Sequence, residues 1–221
     1  MAGTPCIRRT ASGRTARAAY CDTTTAVQLY ENHDPAHPMT RAQDEEHRTA
    51  LLGHLRDQGM VVGSEVGCDF AMPVMDWSPT FRQHTPGQSV PLWALVFHDA
   101  HVGFSPALPT DPDQAEARPD DMEQFRAGQC ALVVNGLHLA HVRISAANWG
   151  RVLPMVAACA RFDRWMARTG GDEMVGHEFL DAERCVERVA FASGAAAIVN
   201  FADEARRIEG RTVPARDFVL L

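Results

Sequence analysis

The sequence predicts an α/β chain followed by a small antiparallel β-module, and three observations carry the prediction. A helix, a glycine, a strand and an acid follow one another between Thr40 and Glu65. Short apolar runs ending on a carboxylate recur on either side of that unit. Beyond residue 175 the texture changes to short paired β-like runs.

Residues 1–17 carry Arg8, Arg9, Arg14 and Arg17 with no apolar core behind them, so they read as a disordered start and not as a signal peptide. Ala18 to Asp22 is the first apolar run closing on an acid, and residues 26–39, with two prolines and two histidines, read as the βα loop after it. Thr40 and Gln43 form a capping-box pattern. The helix this starts runs over 41–58, with Ala50, Leu51, Leu55 and Gln58 on its apolar side. Gly59 stops it, as C-terminal glycines do. Met60 to Val62 are then a buried strand that ends at Glu65.

Val66 to Gly87 is a loop holding Asp69, Phe70, Asp76, Trp77, Phe81 and His84. Val90 to Phe97 is a continuous apolar run closing on His98-Asp99, as a buried parallel strand would be. Residues 105–128 are Pro- and Asp-rich and read as a long loop with one short helix. Cys130 to Leu139 fits a strand or a buried helix equally. Trp149 to Arg168 predicts an amphipathic helix with Val152, Val156, Ala160 and Trp165 on one face. Cys185–Gly194 and Ala195–Phe201 form a hairpin turning at Ser193-Gly194, and Thr212 to Leu221 adds a strand. The resulting organisation is a disordered 1–17, a βα domain over 18–175 and an antiparallel module over 176–221.

Bulk properties exclude several classes. The net charge of −7 over 221 residues argues against nucleic acid, since nothing would offset phosphate repulsion. All 21 basic residues are arginine, which reads as genome composition. No apolar run approaches the roughly 20 residues needed to span a bilayer, so no membrane partner is expected and the chain as it stands reads as cytoplasmic. Six scattered cysteines contain no Cys-x-x-Cys pair and read as reduced, small buried hydrophobes. No phosphate loop or dinucleotide fingerprint occurs, so no cofactor is expected.

Asp22 and Glu65 are the sharpest candidates. Two carboxylates at neighbouring strand ends can divide glycosidic cleavage, one attacking as the ion and one donating a proton to the leaving oxygen; a separation of roughly 5–5.5 Å gives retention and roughly 6.5–9.5 Å gives inversion. Acids at strand ends also cap following helices, so that reading stays open. Asp69, Asp76 and Trp77 suit a sugar site, where a ring stacks on a pyranose and carboxylates accept from hydroxyls. A loop anchored by its own aromatics is equally consistent. His98 and Asp99 are candidate substrate hydrogen-bonders. His98-Asp-Ala-His101 invites a metal reading, but residues three apart on a strand point to opposite faces, so no metal site is assigned. His33 with His37, and His138 with His141, are weaker still. Ser64 lacks the surrounding Gly-x-Ser-x-Gly of a nucleophile elbow. Gly63 and Gly67 are explained by close packing.

Tyr20-Cys-Asp-Thr-Thr, Asp34-Pro-Ala-His-Pro-Met-Thr-Arg, the Gly59–Glu65 stretch and Val90 to Asp99 resemble the later part of bacterial α-N-acetylgalactosaminidase-like glycoside hydrolases. Thr169 to Met174, Val199-Asn-Phe201 and Pro214 to Val219 resemble the β-module behind their catalytic barrel. The resemblance implies the C-terminal part of a TIM-type (β/α)8 barrel followed by that module, and hydrolysis of an α-linked carbohydrate with retention. It makes Asp22 the nucleophile, Glu65 the acid/base, and Asp99, His98 and Trp77 substrate contacts. It also implies that the chain enters the barrel at about the fourth strand. The open edges would then call for a complementing chain or a homo-oligomer. Two other functions remain on the residues themselves: a non-catalytic carbohydrate-binding remnant, and a metal-dependent hydrolase using His98 and His101.

Overall fold

The computed structural model describes residues 17–80, 84–105, 121–139 and 145–221. The expected disordered start therefore lies, apart from Arg17, outside the described residues. So do Phe81, His141 and most of the Pro- and Asp-rich loop. The chain divides after Ser78 into two compact units.

The first unit contains strand β1 (Ala18–Cys21), helix α1 (Arg41–Asp57), strand β2 (Val61–Ser64), a 3-10 helix (Asp69–Val74) and the start of strand β3 (Trp77–Pro79). The capping box is present in both directions: Thr40 Oγ1 accepts from the Gln43 amide, and Gln43 Oε1 accepts from the Thr40 amide. At the other end Gly59 takes φ +76°, its amide donates to the Arg56 carbonyl, and the Met60 amide reaches back to Leu55. This double return satisfies carbonyls the helix would otherwise leave open. The buried stripe of α1 is Asp44, Leu52 and Leu55 with half-buried Arg48, and not the expected face; Ala50, Leu51 and Gln58 are exposed. The stripe steps by four, four and three, and its first turns bury an ion pair, which an apolar pattern does not register.

β1 and β2 are parallel, with Ala18 opposite Val61 and Cys21 opposite Ser64, and Gly63 is opposite Trp77 of β3. Ala19 and Cys21 pack with Leu52, Leu55, Val62, Ala71 and Val74. Since alternate strand residues face opposite sides, Ala18, Tyr20, Val61 and Gly63 share the other face. That face is open: Tyr20 is 45% exposed and Val61 49%.

The second unit contains helix α2 (Leu92–Phe97), strand β4 (Val102–Ser105), helix α3 (Asp121–Val134), strand β5 (His138–Leu139) and helix α4 (Trp149–Thr169). Strands β6 (Met174–Phe179), β7 (Val186–Phe191), β8 (Ala196–Asn200), β9 (Arg206–Ile208), β10 (Arg211–Val213) and β11 (Asp217–Leu220) follow. The apolar run at 90–97 is helical, not a strand, which corrects the expectation. Leu95 and His98 donate to the carbonyls four residues earlier, and the burial is helical too. Ala94 and His98 are buried, whereas Leu92 and Val96 are exposed. A six-residue apolar run has no readable period. The strand there is β4, paired in parallel with β5. The ambiguous 130–139 segment is the end of α3, a turn at Gly136 (φ +61°) and then β5. In the first unit the strand order is β1-β2-β3, and in the second β4 pairs with β5, all in parallel, an α/β arrangement.

β11-β8-β7-β6 form a four-stranded antiparallel sheet. The β7–β8 hairpin turns where expected, with Gly194 at φ +86°. The single terminal strand is instead β10 and β11, because Pro214 lacks the amide needed to continue a ladder. Phe125 and Leu132 of α3, and Met155, Phe162 and Trp165 of α4, share one core with Val189, Phe191, Val199 and Phe218 of the sheet. Val156 and Ala160, expected on the buried face of α4, are exposed.

Candidate active site

β1 and β2 bring Asp22 and Glu65 together. Register pairs Cys21 with Ser64, so the two acids are the next residues out on adjacent parallel strands. Neighbouring strands lie about 4.8 Å apart. Both acids follow, two residues on, the open-face positions Tyr20 and Gly63, hence the same face. Thr23, directly after Asp22, takes φ +56°. That left-handed conformation is strained for a β-branched residue. In it the Thr23 amide donates to Glu65 Oε2 at 3.2 Å.

Beneath the acids lies an aromatic floor. Tyr20 and Trp77 stack with ring centroids 5.3 Å apart and planes 16° from parallel. Gly63 lies between them in the strand rows, and a Cβ there would stand 2.2 Å from the Trp77 ring. Only glycine leaves the rings room to meet. Partial burial raises the Tyr20 phenol's pKa, and the neighbouring Asp22 and Glu65 carboxylates raise it further.

The loop after β1 is tied down from two sides. Ser64 is buried, donates to the Cys21 carbonyl at 2.6 Å and accepts from the Thr25 amide at 3.2 Å, a structural task that occupies its hydroxyl. Arg48 donates to the carbonyls of Thr24, Val27 and Gln28 and holds Asp44 through two nitrogens, with Nη2 2.6 Å from Oδ2. Asp44 also accepts from the Tyr30 amide at 2.8 Å. Burial would raise the Asp44 carboxyl, but the hydrogen bonds from Arg48 and Tyr30 outweigh it and hold it below the usual range.

The remaining candidates are placed as follows. Trp77 is half-buried in the floor just described. Asp76 is exposed, but its Oδ2 accepts from the Val62 amide at 2.7 Å, fastening β3 to β2. Asp69 is exposed at the start of the 3-10 helix and accepts from the Phe70 amide. His98 and Asp99 belong to the second unit and end a helix instead of a strand. His98 is buried, with Nδ1 2.7 Å from the Asp172 carbonyl and its ring edge-on to Phe191. Asp99 is exposed. Among the described residues no group of three His, Cys, Asp or Glu side chains could hold a metal. Described cysteines are free, and no described helix is long and apolar enough to cross a membrane.

Sequence reasoning assigned no role to Tyr20, Thr23 or Arg48. Tyr20 had a signal, standing two residues before Asp22 on a strand. Arg48 had one local signal, its spacing of four from Asp44, but its loop carbonyl partners lie some 20–24 residues away.

No family model and no curated protein matches the sequence. Among solved structures the chain is similar to the α-N-acetylgalactosaminidase NagBb of Bifidobacterium bifidum. With its GalNAc complex the TM-score is 0.64 at 25% identity, covering 86% of this chain and 30% of that one. With the ligand-free enzyme it is 0.62 at 25% identity and the same coverage. With the Gal-NHAc-DNJ complex it is 0.63 at 24% identity, covering 85% and 31%. The chain thus spans less than a third of that enzyme's length. The likeness supports a related glycoside hydrolase fold.

Proposed function

We propose that the chain carries the catalytic pair of a retaining glycoside hydrolase acting on α-linked glycosides, N-acetylgalactosaminides foremost. In this reading residues 18–175 are the C-terminal part of a (β/α)8 barrel, with the module at 176–221 behind it. The observation that carries the proposal is the placing of Asp22 and Glu65 side by side at the C-terminal ends of two parallel strands, where barrels keep their chemistry. The Tyr20–Trp77 stack supports it, since a sugar's apolar face packs on such a floor.

Asp22 attacks the anomeric carbon as the glycosidic C–O bond breaks, and Glu65 gives its proton to the leaving oxygen. Glu65, now ionised, takes a proton from water, which attacks the same carbon and releases Asp22. The Thr23 amide orients the Glu65 carboxyl. Asp69, Asp76, Trp77, His98 and Asp99 are the proposed substrate contacts.

Turnover of an aryl α-N-acetylgalactosaminide by the purified chain, alone and with any complementing chain, tests this. Asp22→Asn and Glu65→Gln should each lower kcat at least about a hundredfold. An undiminished rate in either variant removes that residue from the mechanism. The 30% coverage of the neighbour's length favours a second reading, a carbohydrate-binding remnant. N-acetylgalactosamine binding by calorimetry, with no turnover under any condition, would select it.

A further inference from the structure

Helices α3 and α4 and strand β11 enclose a cleft of about 320 Å³ that takes no part in the proposed hydrolysis. Arg126 enters it from α3, Arg161 and Arg164 from α4, and Asp217 from β11; alanines of α4 complete the wall and keep it open. Three guanidiniums thus meet one carboxylate, a surplus of two positive charges in a chain whose net charge is −7. The carboxylate is already engaged. Asp217 accepts from both terminal nitrogens of Arg161, Nη1 at 3.3 Å, and from the Phe218 amide at 2.8 Å. Arg161 is fixed further by the Phe218 ring, whose centroid is 3.9 Å from its guanidinium carbon. Arg126 and Arg164 have no such partner among the described residues.

An independent observation points to a ligand. Gln129 lines the same cleft, is only 2% exposed, and its Nε2 has no hydrogen-bond partner among the described residues. Buried amide N–H groups are almost always satisfied, because leaving one bare forfeits its hydration. An acceptor oxygen in the cleft would satisfy it.

We propose that this cleft binds a doubly charged tetrahedral oxyanion carried by a small polar molecule, a phosphate monoester. Guanidiniums grip such oxygens in pairs through their planar fork. A dianion matches the surplus charge, and the Gln129 amide supplies a neutral donor. The volume, at the lower end of small-ligand sites of roughly 300–1,000 Å³, exceeds what the bare ion needs and leaves space for the esterified group. The inference is independent of the Asp22–Glu65 chemistry.

Calorimetric titration of the full chain at constant ionic strength tests it, with a hexose 6-phosphate, a hexose 6-sulfate and inorganic phosphate as separate probes. One site per chain is expected, with the phosphate ester bound more tightly than inorganic phosphate and than the singly charged sulfate ester. Arg126→Gln with Arg164→Gln should weaken binding at least tenfold. Both side chains are exposed, so the thermal midpoint without ligand should hold. Arg164→Lys, which keeps the charge and loses the fork, should weaken binding less than Arg164→Gln. Arg211→Gln, an exposed arginine outside the cleft, should change nothing. Absence of saturable binding by all three probes overturns the proposal, as does wild-type affinity in the double variant.

Discussion

Two glutamates, one in each unit, show how the same side chain is put to opposite uses. Glu187 of β7 is wholly buried and fully engaged. It accepts from His177 Nε2 at 2.8 Å, from His84 Nε2 at 3.1 Å and from the Gly87 amide at 3.4 Å. The two histidine side chains are themselves 3% and 0% exposed. Burial pushes the Glu187 carboxyl up, but hydrogen bonds from His177 and His84 outweigh that and leave it below the usual range. Glu65 is half-buried beside an open face and takes one backbone amide. A buried acid whose two oxygens are both taken holds a fold together. An acid with lone pairs to spare, beside a second acid and above a ring stack, is available to a substrate.

Removing the buried acid should cost most. Glu187→Ala strands two buried histidines, and a loss of about 3–5 kcal/mol in urea unfolding is expected; a loss below about 1 kcal/mol would show the cluster to be idle. The pH dependence has a definite sign. A depressed carboxyl contributes stability that is complete above its unfolded value, about 4.3 for glutamate, and that disappears as pH falls through the lower folded value. Wild type should therefore lose stability more steeply than Glu187→Gln below about pH 4.3.

Arg48→Met comes next. It removes a charged donor from three loop carbonyls and from Asp44, so about 2–3 kcal/mol is expected, with faster amide exchange confined to residues near 24–30. Uniform acceleration across the first unit would contradict that local role. Gly63→Ala should cost about 1–3 kcal/mol by displacing the Trp77 ring, and the same value as an exposed Gly→Ala change would rule the contact out. Smallest of all, Asp22→Asn and Glu65→Gln should leave stability within about 0.5 kcal/mol of wild type. Large destabilisation by either would place it with Glu187 instead.

Much of the local structure was legible in the sequence. Thr40 with Gln43 and Gly59 bracketed α1, and Ser193-Gly194 marked the β7–β8 turn, because caps and turns are set by residues adjacent in sequence. The two acids at strand ends were legible for the same reason. α2 was not, since Leu92 to Phe97 is apolar at every position and its period shows only in which residues are buried. His84, read as part of an aromatic loop, proved to be one of two histidines on a glutamate that lies 103 residues away from it. No local pattern encodes a partner at that distance. The stripe of α1 was missed because its first members are charged.

The missing side chain at Gly63 has a mechanical consequence. β1 and β3 are not hydrogen-bonded neighbours, yet Tyr20 and Trp77 lean across β2 and touch. The stack acts as a strap over three strands, bridging a width of about 9.6 Å that no single ladder covers. Sliding β2 along its axis would carry Glu65 past Asp22, and the strap opposes that shear. The spacing of the two carboxyl groups is thus guarded by aromatic rings as well as by the strand ladder.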